Sequence, residues 1–251
     1  MNFKQRHQQN DPLIICNVWD VASAKIAEEL KFEAIGTSSA AIAASRGLKD
    51  AEELPFDELL CLVTRIANNS ALPLTVDIEA GYERKPIKIV ENIISLAQAG
   101  AIGINIEDSV VGLERTLVNS VEFAKSVSYI KKHLLGMGLE IFINVRVDTF
   151  LLGVPDCVSH TKERISLYES AGADGIFIPC LEKEQDIKEV VAMTDLPINI
   201  MCMPNLPDFK TLHELGVKRI SMGNFIFDDM LLHLKRRLSS INVQQSFASI
   251  F

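Results

Sequence analysis

Short apolar runs recur along the chain, each bounded by polar or glycine residues: LIICN (13–17), AIGT (34–37), LTVDIE (74–79), GINIED (103–108), IFINVRVD (141–148), GIFIPC (175–180), INIMCM (198–203) and RISMGN (219–224). They are rich in isoleucine and valine, and their near-continuous apolar character suits strands buried on both faces. Between them the apolar positions space out with a helical period, as in VASAKIAEEL, FDELLCLVTRIANN, IVENIISLAQAG, SVEFAKSVSYIKKHL, TKERISLYESAG and DMLLHLKRRL. The segments AQAGA, ESAGA and HELGV place Gly100, Gly172 and Gly216 just past a helix, where a left-handed cap is needed. Eight βα units predict a parallel sheet covered by helices, and that number favours closure into a single (β/α)8 TIM-type barrel over an open sheet.

Composition agrees. The 251 residues are 48% hydrophobic and 23% charged, with no linker-like stretch, so one domain spanning 1–251 is expected. A formal charge of −8 gives no basic footprint for nucleic acid or an anionic membrane, and neither partner is expected. Cys16, Cys61, Cys157, Cys180 and Cys202 form no C-x-x-C pair, which argues against a disulfide framework or a zinc site. With a polar N-terminus and no long apolar span, a cytoplasmic protein is expected.

In such a barrel the chemistry belongs at the C-terminal strand ends. There the chain offers Asn17 and Asp20, Ser38 and Ser39, Asp77 and Glu79, Glu107 and Asp108, Arg146 and Asp148, Cys180, then Ser221 and Asn224. Residues i and i+2 of a strand share a face, so Asp77 and Glu79 should project together, with Glu107 joining from the next strand. Three such carboxylates need a counter-charge, and a hard divalent cation such as Mg²⁺ supplies one. Arg146, inside an apolar run, is either a structural partner of Glu107 or Asp148 or a fork for a ligand anion. The histidines lie in the tail or on helical stretches and receive no role; Cys180 and Cys202 read best as small buried residues.

These residues resemble the isocitrate lyase / phosphoenolpyruvate mutase superfamily. The likeness runs through NVWDVASAKIAEELKFEAIGTSSAAIAASRGLKD, LPLTVDIEAGY, GINIEDS, FINVRVDTFLLG and AGADGIFIPC. It implies an enzyme dependent on Mg²⁺, with Mn²⁺ able to substitute, that binds a small α-keto acid and makes or breaks the adjacent C–C or P–C bond. Carried over, Asp77 is the principal metal ligand, while Asp50, Glu79 and Glu107 hold metal-bound waters. Ser38, Ser39, Ala40, Trp19 and Asn224 contact the substrate, and Arg146, Asp50 and Glu107 form the catalytic set.

Departures narrow the expectation. Isocitrate and methylisocitrate lyases carry a K-K-C-G-H-R lid, whereas EDSVVGLERTLVNS has no cysteine. Phosphonopyruvate-handling relatives carry a longer D-K-x-x-P-K-x-N-S lid; here Asn119-Ser120 is present, Ser120 reads as a helix N-cap, and Ser109 stands in place of the lysine. Pro179 and Cys180 replace the histidine and serine of mutases. The short-lid branch remains, read as a lyase or decarboxylase through an enolate. A phosphonomutase or P–C hydrolase, a phosphate-binding barrel using SMGNF, and a silent keto-acid binder are the alternatives. Glu114 and Arg115 are lid residues able to reach the substrate, or else an exposed helix-start pair. The apolar C-terminal stretch suggests a homodimer or homotetramer with an exchanged last helix, or a helix closing its own barrel.

Overall fold

A computed structural model describes residues 2–251. Eight parallel strands close in the order β1 (Leu13–Val18), β2 (Ala34–Thr37), β3 (Leu74–Asp77), β4 (Ala101–Glu107), β7 (Phe142–Arg146), β8 (Gly175–Ile178), β9 (Ile198–Met201) and β10 (Arg219–Ser221), the last pairing with β1. The missing numbers are a small antiparallel hairpin, β5 (Ser109–Val111) and β6 (Arg115–Leu117), inserted above β4. The barrel is the one the βα repeat predicts. Gly100, Gly172 and Gly216 all adopt positive φ at the end of a helix, as expected of left-handed caps.

The outer ring is built by α2 (Val21–Glu29), α4 (Phe56–Ala67), α5 (Pro86–Gln98), α6 (Ser120–Gly136), α7 (Cys157–Ser170), α8 (Glu184–Val191) and α9 (Phe209–Glu214). Their inner faces, such as Leu59, Val63 and Ile66 of α4 and Ile89, Val90 and Ile93 of α5, pack onto the outward side chains of the strands in one continuous core. The short α3 (Ser39–Ser45) fills the small-residue stretch after β2. Asn119, not Ser120, caps α6, accepting the N–H groups of Val121 and Glu122 at 3.0 and 3.1 Å. The last helix, α10 (Phe225–Gln244), buries only Phe227 and leaves Ile226, Leu231, Leu234 and Leu238 exposed.

The polar N-terminus is not a loose tail. Asn2 caps α1 (Phe3–Arg6), and Phe3 and His7 enter the barrel floor against Phe142, the His7 ring stacking on it at 4.3 Å. His7 Nδ1 lies 3.0 Å from the Phe3 carbonyl, and burial, with help from Arg219, pushes the imidazole down to about 3. Among the described residues no helix is long and apolar enough to cross a membrane.

Candidate active site

Asp77 ends β3 at the barrel mouth. Its N–H donates to Thr37 Oγ1 at 2.8 Å, which ties the strand end to β2. Its carboxylate accepts the Glu79 N–H at 3.0 Å and Asn105 Nδ2 at 3.4 Å. Among the described residues no cationic side chain forms an ion pair with it; burial raises its pKa, and the more distant charge of Arg146 opposes the rise.

The strand stops at Asp77, and Glu79 takes a left-handed backbone with φ 49°, so the two-residue period of a strand no longer applies. The Glu79 carboxylate is buried and accepts the Glu52 N–H at 2.7 Å and the Tyr82 hydroxyl at 3.2 Å, within reach of the charges of Asp50, Asp77 and Glu107. Burial, then the neighbouring charge of Asp50, pushes it up to about 8.

Glu107 and Arg146 are register partners on β4 and β7, and their side chains meet: Arg146 Nη1 lies 3.0 Å from Glu107 Oε2, and Nε donates to Asp148 Oδ1 at 2.6 Å. Burial works against the Arg146 charge, and Glu107, Asp148 and Asp77 more than restore it. Both structural partners foreseen for Arg146 are therefore present. A second guanidinium closes the arrangement. Arg115, carried by the hairpin, ion-pairs with Glu107 Oε1, donates to Ser109 Oγ at 3.1 Å and lies 3.5 Å from Asp148 Oδ2; its Nη2 donates to the Asp50 carbonyl at 3.3 Å. Burial pushes Glu107 up to about 7 against the pull of Arg146 and Arg115. The Glu114–Arg115 pair is thus not a helix start: it belongs to the hairpin, and Arg115 points inward.

Asp108 supports this lattice from behind. It accepts the Asp148 N–H at 2.9 Å and is held by Arg164 and Tyr168, each at 2.8 Å.

A cavity of about 300 Å³ opens over these groups, lined among others by Ser38, Ser39, Ala40, Asp50, Asp77, Arg115, Arg146 and Asn224. Ser38 caps α3, its Oγ accepting the Ala41 N–H at 3.3 Å, and the first-turn N–H groups of that helix have no intrahelical acceptor. Trp19 is outside the lining, because its ring packs edge-on to Phe227 at 5.1 Å. Cys180 is also outside, and burial raises its thiol pKa. The phosphate cradle considered around SMGNF is short of two donors: the N–H groups of Met222 and Gly223 are spent on Asn17 Oδ1 at 2.8 and 3.1 Å.

The residues fit a hard cation held chiefly through water. Asp77 is an unpaired carboxylate on the cavity, and Asp50 Oδ1 is buried without a partner. Among the described residues no three of His, Cys, Asp and Glu come together as direct ligands. Glu79 already accepts the Glu52 N–H and the Tyr82 hydroxyl, and Glu107 is clamped by two arginines, so of the three carboxylates expected at the strand ends Asp77 is the freest for direct contact, with Asp50 nearby. Mg²⁺ tolerates such a sparse set, since it keeps several waters and needs only one or two carboxylates.

Known proteins share this architecture. An uncharacterized protein of Mycobacterium tuberculosis H37Rv is 33% identical over 224 residues, 89% of this chain and 82% of its own. Oxaloacetate decarboxylase 1 of Pseudomonas fluorescens Pf0-1 is 27% identical over 224 residues, 86% of this chain and 75% of its own. A crystal structure from Burkholderia cenocepacia J2315, provisionally assigned as a phosphonomutase, superposes with a TM-score of 0.88 at 33% identity, covering 94% of this chain and 97% of that one. Residues 3–242 match the model of the phosphoenolpyruvate phosphomutase family, and the chain belongs to that family.

Proposed function

We propose that the protein is a divalent-metal-dependent lyase that removes a carboxylate from, or breaks another C–C bond to, the carbon adjacent to the keto carbon of a small α-keto acid, leaving an enolate. The observation that carries this reading is one small cavity in which the unpaired Asp77 carboxylate, the Arg146 guanidinium and the first turn of α3 face the same space. A cation bound there would be held directly by Asp77 and through water by Asp50, Glu79 and Glu107. When bound, it draws negative charge onto the keto oxygen, which is the charge that grows as the neighbouring bond breaks. The α3 first turn, through Ser39 and Ala40, binds the carboxylate beside the keto group, because N–H groups at a helix start favour an anion. Arg146 holds the group that departs, its orientation fixed by Glu107 and Asp148.

Decarboxylation suits the lining best. Histidine, lysine and cysteine are absent from the residues that line the cavity. An aldol-type cleavage must first take a proton from a hydroxyl, whereas loss of CO₂ needs only a proton returned to carbon, which water supplies. The likeness to oxaloacetate decarboxylase 1 supports the same choice.

Incubation with Mg²⁺ and oxaloacetate, phosphonopyruvate, 2-methylisocitrate and larger 2-keto acids, followed by NMR, tests it. Metal-dependent release of CO₂ from a keto acid is the expected result. Turnover of phosphonopyruvate alone would replace it with P–C chemistry, and no turnover of any compound would leave a binding module.

We also propose that the protein assembles as a homodimer or homotetramer through α10, in support of which seven large apolar residues of that helix, Ile226, Leu231, Leu234 and Leu238 among them, stand exposed.

A further inference from the structure

The charged groups at the mouth are balanced in an unusual way. Glu107 and Asp148 each meet Arg146 with one oxygen and Arg115 with the other, so two buried anions face two cations. Arg146 is anchored in a barrel strand. Arg115 is not: it rides on a three-residue strand of a hairpin whose Leu113 is fully exposed. Yet its side chain is only 16% exposed, and it reaches Asp50 as well, at 4.0 Å from Oδ2. One residue outside the βα repeat thus touches two of the carboxylates expected to hold metal-bound water, and lines the same cavity as Asp77.

We propose that Arg115 is a positioning residue whose guanidinium, with the hairpin closed, engages Glu107 and Asp50, two of the carboxylates that would hold the waters of a cation beside Asp77, so that guanidinium and metal exclude one another. This rests on the metal-dependent reading above. The physical reason is charge balance. With Arg115 in place Glu107 and Asp148 are neutralised, and a dication entering beside Asp77 meets a like charge that lines the same cavity. Even at an effective dielectric of about 20 to 80, such a repulsion is on the order of the 1.4 kcal/mol that makes a tenfold change in affinity. Without Arg115 the same anions are left with Arg146 alone and attract the cation. Metal loading therefore drives Arg115 out and loosens the hairpin.

The test is calorimetric Mg²⁺ titration of the wild type, Arg115→Met, Arg115→Lys and Asp77→Ala, joined to hydrogen exchange of residues 109–117 with and without Mg²⁺. Arg115→Met is expected to bind Mg²⁺ about tenfold more tightly. Arg115→Lys, which keeps the charge, should stay within about threefold of the wild type. Mg²⁺ should speed exchange of the hairpin amides in the wild type and leave it unchanged in Arg115→Met. Equal or weaker Mg²⁺ binding by Arg115→Met, or slower hairpin exchange on metal addition, would overturn the proposal while leaving the metal site standing. If neither the wild type nor Arg115→Met binds Mg²⁺, the metal reading falls and this proposal with it. Binding by Arg115→Met alone would be exclusion in its strongest form, and loss of that binding in Asp77→Ala places the cation where the proposal requires it.

Discussion

Both ends of the barrel are closed by a short element that lies outside the βα repeat, and the two closures differ in kind. At the floor, α1 inserts Phe3 and His7 against Phe142, an aromatic contact with a neutral imidazole. At the mouth, the β5–β6 hairpin inserts Arg115 among carboxylates. An aromatic plug gains by excluding water and has nothing to exchange with a ligand. An ionic plug gains by pairing charges, and any ligand that brings charge of its own competes for those pairs. The floor is therefore a permanent part of the fold, and the mouth is where binding is decided.

The largest expected effect falls at the mouth. Asp77→Ala should abolish Mg²⁺ binding in a calorimetric titration, a loss of ~10²-fold or more in affinity, with no drop in melting temperature, because the mutation removes a carboxylate that forms no ion pair and whose charge burial disfavours. Metal affinity equal to the wild type would show that the cation, if there is one, binds elsewhere.

Next in size is Arg146→Lys. Lysine keeps the charge but cannot serve Glu107, Asp148 and a ligand at once, so turnover of the active keto acid should fall by ~10²-fold. Oxalate affinity in the presence of Mg²⁺ should hold within a few-fold. A fall in melting temperature with unchanged turnover would make the residue purely structural.

At the floor the expectations reverse. Phe3→Ala removes a buried ring from its contacts with Phe142 and His7, and should cost about 3 kcal/mol in chemical denaturation. Mg²⁺ and oxalate affinities should not change. A parallel loss of ligand affinity would mean that the two ends are coupled through the barrel interior.

The same contrast governs what the sequence disclosed. The barrel was legible because eight apolar runs and glycine caps at Gly100, Gly172 and Gly216 are local signals, each set by residues close in the chain. Asp77, Arg146, Ser38 and Asn224 were legible at the mouth because strand ends are predictable in this fold. The partners of Glu79, the Glu52 N–H and the Tyr82 hydroxyl, were not legible because the strand stops two residues earlier, and the left-handed residue that follows is not a glycine. Trp19 was misplaced because its partner, Phe227, lies far away in the sequence. Both plugs were missed as plugs. MNFKQRHQQNDP reads as polar because only Phe3 and His7 face inward, and a four-residue helix has no period to detect. The inward turn of Arg115 depends on Glu107, Asp148 and Asp50, which only the closed barrel brings together.

The smallest effect, and the one that separates the plugs most cleanly, is acid sensitivity of the floor. His7 titrates near 6.5 in an unfolded chain and is pushed down to about 3 in the fold, so the folded state excludes its proton. A group depressed in this way contributes stability that is complete above about pH 6.5 and is lost as pH falls toward 3. Between pH 8 and pH 5.5 the loss is roughly 1 kcal/mol, since only the unfolded chain takes up the proton in that range. His7→Phe keeps the stacking surface on Phe142 and cannot be protonated. The difference in unfolding free energy between wild type and His7→Phe, measured by denaturant titration at both pH values, should therefore shift by about 1 kcal/mol in favour of the variant at pH 5.5. Carboxylates at the mouth titrate identically in the two proteins and cancel from that difference. A shift of zero would mean that the imidazole is not excluded from protonation and that the floor is as open to exchange as the mouth.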